Sequence, residues 1–338
     1  MKNFKRCVAF LMILVLSLGA CLSLGSCSGK ETIVIYSSAE DFRIASIQQS
    51  LNEKFPQYNI VIEYKDSGSH AAAIKASGTS VGCHISHDLE YSYAQNLTEY
   101  FANIEDFIDE SNYEKDTIIA ESKYFAPEVR NGGAIILNMD VINEKCGGKV
   151  PETYEDLLDP VYKGLISMPD PASSGTGYMF LLALVNKWGE DEAVEYFAKL
   201  SENVKSFSTS GSGPVNALVL EEVAIGLGMT SQAVQQINKG VNLEIKFFEE
   251  IGSPYSLYGQ AIIKGNENNE AVVEVFKYLC NEVTREQSEN YYPEKIFTDT
   301  KNNVKNYPSN IAYADMSNNT LERKEALLEI WEKSVKVD

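Results

Sequence analysis

Short apolar runs rich in β-branched residues alternate along this chain with Ser/Gly turns and with stretches of helical periodicity. Residues 32–36 read as a strand. Ser37 and Ser38 follow, and then Phe42, Ile44, Ile47 and Leu51 predict a helix that stops near Pro56. Residues 59–64 form a second strand, followed by the Asp66-Ser67-Gly68-Ser69 turn and a helix over 71–76 that Gly78 closes. A third strand is expected over 81–86, with His87 and Asp88 at its end. The middle of the chain repeats the pattern. Strands are predicted at 133–138, 165–168, 205–208 and 223–227, and helices at 178–188 and 191–200, with Pro214 in the first turn of another. Residues 321–335 give a final amphipathic helix. Strands alternating with helices predict an α/β fold with parallel sheets.

The turns carry the candidate chemistry. Each lies at the C-terminal end of a strand and the N-terminal end of a helix, the place where open α/β sheets bind ligands. Free N–H groups and the positive end of the helix dipole favour an anion there. A Ser or Thr at such a turn also caps its helix, worth about 1 kcal/mol, and for a single turn capping is explanation enough. Four such turns, two in each half of the chain, point to a cleft. They make Ser37, Ser38, Ser69, Ser173, Ser174, Gly175, Thr176, Ser212 and Thr230 candidate binding residues, with Asp88 at a strand end and Tyr255 as an aromatic wall.

The first 26 residues look different. Lys2, Lys5 and Arg6 precede an apolar run over 7–24, and Leu24-Gly25-Ser26-Cys27 follows, the pattern of a secretory signal. The Cys resembles that of a bacterial lipobox, whose thiol is lipidated and becomes the new N-terminus. Leu18-Gly19-Ala20-Cys21 fits the same pattern. Cys27 is favoured because the polar Ser28-Gly29-Lys30 after it suits a tether, whereas the chain after Cys21 stays apolar through Leu24. The apolar run falls short of the ~20 residues that span a bilayer. The expected protein is therefore exported and anchored to the membrane through lipid only.

Composition narrows the partners. Removal of residues 1–26 takes away Lys2, Lys5 and Arg6 and moves the formal net charge from −19 to −22. Such a surface repels nucleic acid and anionic lipid. Cys83, Cys146 and Cys280 are odd in number and far apart, so buried thiols are expected rather than a disulfide framework or a zinc knuckle. His70, His84 and His87 fall within 18 residues. His84 and His87 would point to opposite faces of a strand, so core or rim histidines are expected, and no metal or cofactor. Gly78-Thr79-Ser80-Val81-Gly82 matches G-x-S-x-G. A nucleophile elbow runs from strand to helix, however, and here a helix ends where a strand begins. A secreted serine hydrolase is accordingly disfavoured.

Three segments carry a family resemblance. Val150-Pro151 with Tyr154-Glu155-Asp156-Leu157-Leu158-Asp159-Pro160-Val161-Tyr162-Lys163-Gly164 is one. Pro169-Asp170-Pro171-Ala172-Ser173-Ser174-Gly175-Thr176 and Gly211-Ser212-Gly213-Pro214 are the others. They resemble extracellular solute-binding proteins of ABC importers, in the group serving ferric iron, phosphonates, phosphosugars, thiamine and polyamines. The likeness covers roughly residues 31–285.

The resemblance implies a two-lobed type II periplasmic-binding-protein fold, with a cleft between two parallel-rich mixed sheets. Lobe one would comprise 31–130 plus 250–338 and lobe two 131–249, after the signal at 1–26 and a tether at 27–30. The crossings would fall near 130–131 and 249–255. It also implies an ABC permease and ATPase as partners, a small polar solute, a monomer and no catalysis.

Iron binders of the group place two adjacent tyrosines after the strand that corresponds to 223–227. Here Gly228-Met229-Thr230-Ser231 stands there, and a hard ferric ion finds no anionic oxygen. Tyr291-Tyr292 lies far downstream, where surface packing is expected. The Ser/Thr turns suit a phosphate or phosphonate instead, with Asp88 and Glu40 able to hold an ammonium and Tyr36, Tyr255 or Tyr258 to wall a sugar. Surface roles are the expectation for Arg43 and Arg130.

Overall fold

Nine strands among the described residues form one curled mixed sheet, and eleven helices cover it. The computed structural model describes residues 29–335, so the expected signal segment and the two candidate lipidation cysteines, Cys21 and Cys27, lie outside the described residues. The strands are β1 (Thr32–Ser37), β2 (Asn59–Tyr64), β3 (Ile85–Glu90), β4 (Ala126–Asn138), β5 (Ile166–Pro169), β6 (Val204–Ser208), β7 (Ile225–Met229), β8 (Leu243–Lys246) and β9 (Tyr255–Ile262). The helices are α1 (Asp41–Lys54), α2 (Ser67–Ser77), α3 (Tyr91–Gln95), α4 (Met139–Lys145), α5 (Gly175–Trp188), α6 (Glu190–Leu200), α7 (Gly213–Val219), α8 (Thr230–Asn238), α9 (Glu270–Tyr278), α10 (Thr284–Asn290) and α11 (Leu321–Ser334). No helix among the described residues is long and apolar enough to cross a membrane.

The strand order is β2-β1-β3-β9-β4-β7-β5-β6, with β8 added to β4. Pairs β1–β2, β1–β3, β5–β6 and β5–β7 are parallel, and the strands that meet β4 and β9 are antiparallel. The thirteen-residue β4 joins two lobes. Its first half pairs with β9 over Ala126 to Gly132, and its second half with β7 over Gly133 to Leu137. The glycine at the join is closely packed. A Cβ on Gly133 would lie 2.5 Å from the Met179 Cε and 3.0 Å from the Phe180 ring.

The chain returns between β8 and β9, where the Ser253 hydroxyl donates to the Gly133 carbonyl at 2.8 Å and the Gly133 N–H to the Pro254 carbonyl at 2.7 Å. A third segment runs beside these two, since the Ser253 N–H donates to the Ala312 carbonyl and the Ala314 N–H to the Ser253 carbonyl. The stretch that follows residue 300 reaches lobe two. Asn238 of α8 donates to the Lys305 carbonyl, and Asn186 of α5 to the carbonyls of Asp315 and Ser317.

Two elements differ from the sequence pattern for one physical reason. The buried face of α1 is Arg43, Ile47 and Leu51, while Phe42 is 42% exposed. Strand β3 begins later than expected, at Ile85, and carries Ser86, His87 and Asp88 through its middle in fully buried positions. Arg43 is buried because Asp88 and Glu128 need a counter-charge there, and a buried ion pair demands its partner. Arg43 and Arg130 are thus core residues, not surface ones. Arg130 lies between the Tyr255 and Tyr313 rings, at 4.6 and 4.3 Å from their centroids.

Candidate solute-binding cleft

A cleft of about 510 Å³ opens between the lobes. Lobe one contributes the β1–α1 turn, the β2–α2 turn and the end of β3. Lobe two contributes the N-terminal ends of α5 and α8 and the loop before α7, while Asn131 and Tyr258 stand at the crossing strands. Of the candidates read from the sequence, Ser38, Asp88, Ser173, Ser174, Gly175, Thr176 and Ser212 line this space.

The others stand elsewhere. Ser37 is fully buried, hydrogen-bonded to His87 Nδ1 at 2.9 Å and accepting from the Ala39 N–H. Ser69 donates its backbone N–H to Asp66, the cap of α2. Thr230 is fully buried at the start of α8. Tyr255 stacks on Arg130 beside a separate cavity lined also by Asp116 and Tyr313. Of the other aromatic candidates, Tyr258 lines the cleft, and Tyr36 instead lies under the Lys65 ammonium.

The lobes differ in charge. Every carboxylate lining the cleft (Glu40, Asp66, Asp88 and Glu90) belongs to lobe one, and each already accepts from a protein donor. Glu40 accepts from the Tyr292 hydroxyl at 2.8 Å, and Asp66 from the Ser69 N–H at 3.0 Å. Asp88 accepts from Arg43 at 2.8 Å, and Glu90 from the Ser92 N–H and the Asn319 amide.

Lobe two presents no charged side chain here. The fourteen-residue α5 starts at Gly175, and its N-cap Ser174 makes no side-chain capping bond; α8 likewise starts without one. These helix ends leave N–H donors facing the cleft. Asn131 Oδ1 and Gln232 Oε1, both of cleft residues, also lack partners among the described residues.

Behind the lobe-one wall lies a buried charge network. Arg43 bonds Asp88 and Glu128, and Glu128 Oε1 stands 3.4 Å from His87 Nε2. Both carboxylates sit at bulges, Asp88 where β3 slips register against β9 and Glu128 where β4 does, and Asp88 adopts φ +56°. Bulges re-aim side chains, and here they turn two acids toward one arginine. Burial, then the neighbouring Glu128, pushes the Asp88 carboxyl up to about 8 despite Arg43, and burial raises Glu128 as well. One arginine balances one buried carboxylate, so Asp88 holds a proton near neutral pH.

The histidines support this wall. His70 bonds the Ser38 hydroxyl at 3.1 Å and the Ser86 hydroxyl at 3.0 Å, and His84 Nδ1 accepts from the Val34 N–H. Burial lowers His70 to about 3 and His87 to about 4, so both are neutral. Among the described residues no group of His, Cys, Asp and Glu is placed to hold a metal ion. Cys83, Cys146 and Cys280 are free and buried.

Tyr292 is not a surface residue. It is buried, with its ring 5.3 Å from the Arg43 guanidinium, while Tyr291 packs on Phe42. The G-x-S-x-G stretch runs from helix α2 through a turn at Gly78–Ser80 toward β3, opposite to the order a nucleophile elbow needs.

Sequence reasoning missed Glu90, Asn131, Gln232 and Lys324, which line the cleft from β3, β4, α8 and α11. No local motif marks them. Only for Gln232 was there a signal, its place one step beyond the Gly228–Ser231 turn.

The comparisons with known proteins agree with this architecture. Residues 97–323 match the family model described as bacterial extracellular solute-binding protein. An uncharacterized protein of Haemophilus influenzae is 30% identical over 254 residues, covering 72% of this chain and 71% of that protein. The periplasmic binding protein AfuA of Actinobacillus pleuropneumoniae, solved with exogenous fructose-6-phosphate bound, superposes with a TM-score of 0.71. It shows 21% identity over 92% of this chain and 100% of its own. The apo ferric ion-binding protein A of Pasteurella haemolytica gives a TM-score of 0.74 at 15% identity, over 90% of this chain and 98% of its own. These two structures share the type II periplasmic-binding-protein fold described above. The chain therefore belongs to the bacterial extracellular solute-binding proteins, the family of substrate-binding components of ABC importers.

Proposed function

We propose that this protein is a monomeric, lipid-anchored receptor that captures a small polar solute by a phosphate or phosphonate group. It would close its lobes on that solute and deliver it to a cognate ABC permease and ATPase. The observation that carries this reading is the uncapped N-terminus of α5 at the cleft, with Ser174 and Thr176 beside it. Helix ends and neutral hydroxyls hold such anions without needing many cations. A polyamine would call for free carboxylates, and those in the cleft are already engaged. A ferric ion would call for anionic oxygens at the start of α8, where Met229, Thr230 and Ser231 stand. AfuA, whose structure was solved with fructose-6-phosphate bound, gives the phosphosugar branch of this reading a precedent. No catalytic role is assigned to any residue.

A thermal-shift screen across phosphonates, phosphorylated sugars, polyamines, thiamine and ferric citrate tests the ligand class. Stabilisation is expected from a phosphate or phosphonate compound. A shift from ferric citrate or a diamine alone would refute the reading. Ser174→Ala and Thr176→Val are each expected to weaken binding roughly ten- to a hundredfold, because a hydrogen bond to a charged oxygen is worth about 1.5–3 kcal/mol. Calorimetric titration reads that loss, and thermal unfolding without ligand reads any separate loss of stability.

The anchor is tested separately. Cys27→Ala is expected to abolish lipid attachment and move the protein from the membrane fraction to the soluble one. Retention of lipid in that variant, with loss in Cys21→Ala, would place the anchor at Cys21.

A further inference from the structure

The C-terminal helix α11 lies across both lobes. On lobe two, Trp331 packs its ring against Phe197 and Phe207, at 5.3 and 5.9 Å, and donates its indole N–H to Asp170 Oδ1 at 3.0 Å. Asp170 opens the loop that ends at Ser174 and Thr176, and the Ser174 N–H in turn donates to the Asp170 carbonyl. Arg323 pairs with Glu190 at 2.6 Å. On lobe one, Leu321 and Leu328 line a groove with Ala71 and Ala72 of α2. Just before the helix, Asn319 donates to Glu90 at 3.1 Å and accepts from Gln95.

Between these two attachments the helix sends Lys324 into the cleft. It is the one basic side chain among the described residues that line it. The side chain is only 12% exposed. Its ammonium lies 5.0 Å from the Tyr93 ring centroid of lobe one, 4.9 Å from that of Tyr178 in the first turn of α5, and 3.7 Å from Glu90. Glu90 takes shorter bonds from Ser92 and Asn319, so the ammonium keeps donors to spare.

We propose that Lys324 is a specificity-determining contact for the solute's anionic group, delivered by a C-terminal helix that spans both lobes. The inference rests on the phosphate or phosphonate reading above. The Tyr93 and Tyr178 rings and Glu90 hold the ammonium in the same cleft that Gly175 and Thr176 of the α5 N-terminus line, so helix end and lysine act on one anion. A charge contact of this kind is worth about ten- to a hundredfold in affinity and is screened by salt.

The test is calorimetric titration of the full chain with fructose 6-phosphate and with 2-aminoethylphosphonate, at low and high salt. Lys324→Met keeps the stem, and is expected to weaken whichever of the two binds the parent by about tenfold or more and to flatten the salt dependence. Lys324→Arg is expected to restore most of the affinity. Lys333→Met, an exposed site on the same helix paired with Glu329, should match the parent. Parental affinity and salt dependence in Lys324→Met would overturn this inference and leave the proposed function standing. A parent that binds putrescine and neither anion would overturn both.

Discussion

Replacing Arg43 with Met is expected to destabilise the protein by about 3–5 kcal/mol, because it leaves the single negative charge of the buried Asp88–Glu128 pair without its counter-charge. Asp88 and Glu128 are both nearly inaccessible to solvent, and Arg43 bonds each of them. The loss should be largest at alkaline pH and shrink on acidification, as the acids take up protons. The parent has a related dependence. Asp88 rises from 3.8 to about 8 on folding, so between those values the native state holds a proton that the unfolded chain has released. Stability from this group therefore falls as pH rises through that window and levels off above it. Asp88→Asn imitates the protonated acid. It should come nearest the parent near pH 4 and exceed it by a margin that grows up to pH 8. Chemical denaturation at both pH values checks this, and a variant weaker than the parent at every pH would contradict a protonated Asp88.

Gly177→Ala is the second large expected effect. A Cβ there would lie 2.4 Å from the Pro169 carbonyl oxygen, 2.7 Å from the Pro171 nitrogen and 2.8 Å from the Asp170 carbonyl carbon. All three are backbone atoms, so no side chain can swing aside. The segment from the end of β5 to the start of α5 must move, and Ser173, Ser174 and Thr176 move with it. Overpacking of this kind costs about 1–3 kcal/mol of stability. Binding should fall by roughly tenfold or more, since each misplaced donor to a charged oxygen forfeits a bond of that worth. Denaturation midpoints and titration of the folded variant separate the two losses. Parental affinity in a folded Gly177→Ala would remove the α5 turn from the site.

Much of the α/β order was legible from local pattern. Strand β2 spans the predicted residues, and α5, α6 and α11 lie within a few positions of them, because apolar periodicity and the Ser/Gly turns are local signals. The loop over Ser173 to Thr176 was legible for the same reason: strand, turn and helix N-terminus are adjacent in sequence. The buried network was not. Nothing in the spacing of Arg43, Asp88 and Glu128 shows that two bulged strands and a helix converge on one point, and the apolar pattern of α1 favoured Phe42 over Arg43. Lys324 was illegible as well, since it reaches the cleft only because α11 folds back across both lobes.

By itself, then, the sequence determined the alternation of strands and helices, the chemistry of the turns, the acidic surface and the family. Each is a property of neighbouring residues or of total composition. The tertiary structure alone decided which turns share a cleft, which acids are neutralised behind its wall and which distant lysine stands among them. Those depend on contacts between residues up to hundreds of positions apart, which no local pattern encodes.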